Sequence, residues 1–140
     1  MDDMFTECKH LTSIDLFNFD TSKVTSMRGT FSGCISLPTL DLSNFDTSNV
    51  KDMAFMFYWS DKLTSLDISN FDTSKVTDME GMFFLCRELT TIKGVINMKS
   101  CTEYYQMFYS CYKLTNVKIK NPPSGFNGAG LSKSQYTIVS

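Results

Sequence analysis

Three segments of this chain are nearly the same: SIDLFNFDTSKVTSM at residues 13–27, TLDLSNFDTSNVKDM at 39–53 and SLDISNFDTSKVTDM at 65–79. Each is followed by a Phe four residues after its last Met, then by a Cys or Ser and a Leu. The Phe ladder (Phe5, Phe31, Phe57, Phe83, Phe108) advances in steps of 26, 26, 26 and 25 residues, and Leu11, Leu37, Leu63, Leu89 and Leu114 keep step with it. Self-similarity at a fixed period of this length marks a repeat architecture. A unit so short cannot bury its apolar face alone, so successive units must stack and share one continuous core.

One unit reads as follows. Leu66 and Ile68 alternate with Ser65, Asp67 and Ser69, the period of a half-buried strand. Asn70-Phe71-Asp72-Thr73-Ser74 is turn chemistry, with side chains able to bond nearby backbone groups. Thr77 and Glu80 have the spacing of a capping box. Met79, Met82, Phe83 and Cys86 then fall on one stripe of a short helix. The pattern predicts an α/β solenoid of strand-turn-helix coils. Strands stack at ~4.8 Å and helices at ~8–10 Å, so the stack is expected to curve with its strands on the concave side.

The fourth repeat departs from the others. Gly94-Val95-Ile96-Asn97-Met98-Lys99-Ser100 replaces the S-N-F-D-T-S turn and is one residue shorter, with Cys101 at the place of Val76 and Tyr104 at that of Met79. Pro122-Pro123 ends regular stacking, residues 124–130 read as loop and 134–139 as a last strand. The segment 122–140 is therefore expected to cap the stack. At the other end Met1-x-x-Met4-Phe5 already matches Met79-x-x-Met82-Phe83, so the first coil carries no comparable cap and is a candidate for self-association.

The motif L-x-x-L-D-L-S-N-F-D-T-S-N-V-x-D-M-x-x-M-F-x-x-C, fullest at 37–60 and 63–86, resembles the BspA-like leucine-rich-repeat surface proteins of bacteria. The resemblance covers roughly residues 1–120. It implies a right-handed leucine-rich-repeat-like solenoid of about five coils of 25–26 residues (near 1–29, 30–55, 56–81, 82–106 and 107–121) followed by the cap at 122–140. It also implies a non-enzymatic protein at the cell surface that binds host matrix, mucosal or bacterial ligands. The N-terminus MDDMFTECKH is acidic and has no apolar stretch of the signal-peptide kind, so a cytoplasmic location is the alternative.

Composition narrows the function classes. The net charge of −2 argues against nucleic acid as a partner, and apolar runs of a few residues argue against membrane insertion. The charge is uneven, −7 over residues 1–88 and +5 over 89–140, which suggests an oriented partner or end-to-end association, or else drift among solvated positions. A single His10 makes a catalytic pair or a His-ligated metal improbable, so neither an enzyme nor a cofactor is expected. Cys8, Cys34, Cys86, Cys101 and Cys111 are odd in number and contain no C-x-x-C, which favours buried free thiols over zinc or disulfides. Asp15, Asp41 and Asp67 share one strand position, but one carboxylate per coil falls short of the 6–8 oxygens calcium takes.

The candidate site is aromatic. Repeats one and two hold polar or small residues outside the helix stripe: Thr6, Glu7, Arg28, Gly29, Ser32 and Gly33. Later repeats hold Phe55, Tyr58, Trp59, Phe84, Leu85, Tyr105 and Tyr109, with Tyr112 just beyond. Phe55 and Trp59 would share a helix face, and Tyr58, Phe84 and Tyr109 would form a ladder across three coils. Exposed aromatic patches mark interfaces. The expected function is a non-catalytic protein-binding repeat module related to a surface adhesin. The alternatives are a small intracellular or phage-encoded inhibitor or adaptor binding a host protein, and a self-associating structural module.

Overall fold

The computed structural model describes all residues 1–140 and contains five short strands and no helix. Strands β1 (Ser65–Asp67) and β2 (Thr91–Lys93) form one parallel pair. Strands β3 (Ile96–Asn97), β4 (Val117–Lys120) and β5 (Tyr136–Val139) form a second parallel sheet in that order. This corrects the expected architecture. The strand-turn-helix coil does not form, and the chain is not an α/β leucine-rich-repeat solenoid.

The reason lies in where the backbone N–H groups go. In the second repeat Met27, Gly29, Phe31 and Gly33 donate to the carbonyls of Asp52, Ala54, Met56 and Tyr58 in the third repeat, at 2.9, 2.9, 2.9 and 2.7 Å. Met53, Phe55, Phe57 and Trp59 bond the fourth repeat in the same way. The intervening N–H groups close short turns, as in Ser32 to Gly29 at 2.9 Å. Each apolar stripe is thus a ladder of turns bonded to its neighbour, with no intrahelical bonding. The stretch is shorter than the ~12–15 residues an isolated helix needs, and a neighbouring repeat in register offers carbonyls at once. Thr77 and Glu80 make no capping box: the Thr77 hydroxyl donates to the Lys51 carbonyl at 3.1 Å, and the Glu80 N–H donates to Asp78 Oδ1 at 2.9 Å. Because the turn side is hydrogen-bonded from repeat to repeat, the helix spacing that would have curved the stack is absent.

The D-L-S-N-F-D-T-S residues do their work between repeats. The Thr47 hydroxyl accepts the Asp72 N–H at 2.8 Å and donates to the Asp72 carbonyl at 3.2 Å, standing in for a strand residue. Thr21 does the same for Asp46, and Thr73 for Asn97. All three threonines are buried. The Asn70 amide reaches back to the carbonyls of Leu42 and Phe45 at 3.0 and 2.9 Å, and Asn44 to those of Leu16 and Phe19. Asp20, Asp46 and Asp72 each accept the N–H of the Ser two residues on. In the fourth repeat, which lacks this turn, the pairing of β3 with β4 takes over.

The core is one cluster running the length of the stack, with the Phe ladder at its centre. Consecutive rings from Phe5 to Phe108 lie 5.4, 5.9, 5.5 and 5.3 Å apart and nearly parallel. All five cysteines are free, and all but Cys8 are buried. Cys86 and Cys111 donate to the carbonyls of Phe57 and Phe83 at 3.0 Å, while Ser60 makes the equivalent bond to Phe31 at 2.9 Å. The register therefore calls for a small donor, which either Cys or Ser supplies. Burial pushes the Cys34 and Cys101 thiols up to about 11 and Cys111 to about 12, so none is a thiolate at neutral pH. At the C-terminal end β5 pairs with β4, Phe108 donates to Ala129 at 2.9 Å, and Phe126 packs between Tyr104 and Tyr136 with both ring separations 5.6 Å.

Two predictions follow from these bonds. Thr47→Val keeps the side chain's shape but leaves the Asp72 N–H without its acceptor, so urea unfolding should show a loss of about 1–3 kcal/mol, while Thr47→Ser loses far less. The second concerns acid. Ser hydroxyls and backbone N–H groups hold Asp20, Asp46 and Asp72 below the usual carboxylate range. Folded values below the unfolded ones mean a contribution present above the unfolded pKa of about 3.9 and lost as pH falls through the folded values. Thermal midpoints should be flat from neutrality to about pH 5 and fall below about pH 4, with Asp46→Asn showing a shallower fall.

Candidate protein-binding surface

Two positions in every turn ladder have left-handed backbone. Asp3, Gly29, Phe55, Gly81 and Gln106, two residues before each ladder Phe, have φ of 54, 60, 57, 54 and 50°. Glu7, Gly33, Trp59, Leu85 and Ser110, two residues after it, have φ of 59, 71, 54, 63 and 65°. Phe55 and Trp59 thus occupy the two left-handed sites of one repeat, which replaces the helix face expected for them. Glycine adopts this conformation freely, whereas a side chain costs roughly 1–2 kcal/mol there.

A side chain at the first position leans over the next repeat. A Cβ added at Gly29 would collide with Asp3 Oδ1, and one at Gly81 would meet the Phe55 ring at 2.6 Å. Asp3, Gly29, Phe55 and Gly81 therefore alternate between a covering side chain and a covered glycine.

The rings assemble beside this pattern. Tyr58 stacks on Phe84 at 5.2 Å and 14°, and Phe84 on Tyr109 at 5.0 Å and 22°. Phe55 meets Tyr58 edge-on at 5.8 Å. The Arg28 guanidinium lies 5.0 Å over Phe55 and also pairs with Asp78 at 3.3 Å and Asp52 at 3.5 Å. The Lys9 ammonium lies 5.6 Å over Trp59. Phe55, Tyr58, Trp59, Phe84 and Leu85 are half-buried, whereas Tyr105, Tyr109 and Tyr112 are 67%, 47% and 76% exposed. Tyr105 lines a cleft with Tyr104, Asn127 and Gly130. Tyr112 sits nearby, with its hydroxyl 2.9 Å from that of Ser110.

Elsewhere the surface offers less chemistry. Asp15, Asp41 and Asp67 each accept an N–H two residues on, and Asp67 also binds Lys93 at 2.8 Å. No three His, Cys, Asp or Glu side chains converge as a metal site would require. Sequence reasoning passed over Phe17, which is 79% exposed beside a shallow cleft lined by Asp15 and Asp41. Its signal was its place, since Ser43 and Ser69 stand there in the next repeats.

Fold and surface together define a repeat protein built of turns and short parallel strands, with a stacked aromatic column on its turn side. The family model described as "Mycoplasma protein of unknown function, DUF285" matches residues 1–121, and the chain belongs to that family. No curated protein and no solved structure matches it.

The covering pattern is testable by a double-mutant cycle. Gly81→Ala should destabilise by about 1 kcal/mol or more, because it strains a left-handed residue and displaces the Phe55 ring. In a Phe55→Gly background the same change should cost measurably less by urea denaturation.

Proposed function

We propose that the chain is a non-catalytic protein-binding module whose contact surface is the aromatic turn side. The observation that carries this reading is backbone strain at half-buried Phe55, Trp59 and Leu85 next to a ring stack that ends in exposed Tyr109. Phe55, Trp59 and Leu85 hold left-handed backbone at sites where Gly29, Gly33 and Gly81 show that glycine serves the fold. Strained positions held by bulky residues cluster at functional sites. Tyr109 lies beside Leu85, and Tyr105, Tyr109 and Tyr112 of the following repeat are exposed, a residue type enriched at binding hot spots. The adhesin role at a bacterial surface, which the resemblance implies, suits such a face, with a host matrix, mucosal or bacterial protein as its ligand.

The test separates binding from folding. Trp59→Gly and Leu85→Gly relieve backbone strain while removing side-chain packing, so stability should stay within about 1–2 kcal/mol of the parent. Binding to matrix or mucin proteins immobilised on a sensor should weaken at least tenfold in Trp59→Gly and Tyr109→Ala. Unchanged affinity in both variants would reject the turn side as the contact surface.

A further inference from the structure

Five residues stand three places after a ladder Phe: Cys8, Cys34, Ser60, Cys86 and Cys111. Ser60 divides the thiols into two pairs, each drawn from adjacent repeats. A helix in every coil would keep such positions ~8–10 Å apart, beyond the ~7 Å Cα limit of a disulfide. The turn ladder removes that spacing. Main-chain bonds join the layers just before each pair, Glu7 N–H to the Ser32 carbonyl at 2.8 Å and Leu85 N–H to that of Tyr109 at 2.9 Å. Chains bonded in this way lie ~4.8 Å apart, inside the ~4.4–6.8 Å Cα window of a disulfide. The Phe rings of the same layers agree, at 5.4 Å for Phe5 and Phe31 and 5.3 Å for Phe83 and Phe108.

Within each pair one thiol is aimed at the other residue. The Phe83 carbonyl accepts the Cys86 N–H at 3.1 Å and the Cys111 thiol at 3.0 Å, so Cys111 Sγ lies against the main chain of Cys86. The Phe5 carbonyl accepts the Cys8 N–H at 3.2 Å and the Cys34 thiol at 3.3 Å, which sets Cys34 Sγ against Cys8. A thiol that turned away to form a disulfide would leave both carbonyls with their backbone donors. The Phe57 carbonyl, bonded by the Cys86 thiol, likewise keeps the Ser60 N–H at 3.2 Å. Cys34 and Cys86 are two repeats apart, and Cys101 lies off this register with its thiol on the Glu103 carbonyl at 3.3 Å.

We propose that Cys8 with Cys34, and Cys86 with Cys111, are two inter-repeat disulfide sites, closed when the chain folds in the presence of a small-molecule disulfide oxidant, with Cys101 left free. In each site one cysteine thiolate attacks the S–S bond of the oxidant and displaces half of it as a thiol. The partner cysteine then attacks the mixed disulfide and displaces the other half. Two protein thiols become one disulfide, the oxidant is reduced to two thiols, and the two protons pass to those thiols. Burial raises the Cys34 thiol to about 11 and the Cys111 thiol to about 12 in the folded protein, so closure belongs to the folding chain and not to the finished stack.

The test refolds the full chain, first unfolded and reduced, in a mixture of glutathione disulfide and glutathione. Remaining thiols are then alkylated and the bridges mapped by mass spectrometry of proteolytic fragments. The expected product links Cys8 to Cys34 and Cys86 to Cys111 and is alkylated at Cys101 alone. Its urea midpoint should fall by on the order of 1 M when a reductant is added. The double variant Cys34→Ser, Cys111→Ser places a hydroxyl where Ser60 already serves the fold, so it should fold with a midpoint that the reductant does not move. Five alkylated thiols after oxidative refolding, or bridges in any other pairing, would overturn the proposal. So would a bridged protein less stable than its reduced form.

Discussion

Everything in this structure depends on backbone groups of one repeat finding partners in the next. Repeats this short bury little on their own, and an unpaired buried N–H or carbonyl costs as much as a lost hydrogen bond. The chain meets that demand along two lines. On the turn side, main chain bonds main chain directly through alternate residues. At the F-D-T-S corner, where the backbone turns away, the Thr hydroxyl occupies the gap and bonds both the N–H and the carbonyl opposite it. No buried side-chain nitrogen or oxygen is left without a partner. The near-constant period follows, and where the fourth repeat is one residue shorter the bonds are kept, Met79, Gly81, Phe83 and Leu85 donating to Glu103, Tyr105, Met107 and Tyr109.

Repetition and the Phe ladder were legible in the sequence because each depends only on spacing, whereas the Thr hydroxyl bridges were not. The helix was not, and its failure is instructive. Met79, Met82, Phe83 and Cys86 satisfy a helical stripe, yet a turn ladder bonded to its neighbour buries the same residues. Apolar periodicity reports which residues face inward and says nothing of where the N–H groups go. The better signal was Gly29, Gly33 and Gly81, spaced four apart or two repeats apart, at positions that demand positive φ. The thiols carried a second hidden constraint. Ser60 replaces Cys in that register because the position needs a donor for the preceding Phe carbonyl, which a purely apolar reading of Cys omits.

The aromatic column was legible as a list of residues but not as an arrangement. Spacing placed Tyr58, Phe84 and Tyr109 in successive repeats, and the stacked rings realise that alignment. It gave no hint that Phe55 and Trp59 would sit in left-handed backbone, or that Arg28 and Lys9 would lie over their rings. Those details change the meaning of the surface. Phe55, with a cation over one face and Tyr58 against its edge, is held in place.

The charge gradient has a local cause. Asp15, Asp20, Asp41, Asp46, Asp52, Asp67, Asp72 and Asp78 each accept an N–H two residues on. These carboxylates shape turns, and they make up much of the acidity of the first three repeats. From the fourth repeat onward β2, β3, β4 and β5 supply the pairing that the turns supplied before, Asn97 replaces the corner Asp, and the aspartates disappear. Lys93, Lys118 and Lys120 are left on strands where no carboxylate is needed for the fold. The opposite signs of the two halves therefore follow from the change of pairing mode along the stack, and they supply no independent argument for an oriented partner. That leaves the aromatic turn side, where residue choice departs from what the backbone prefers, as the surface whose chemistry the fold does not explain.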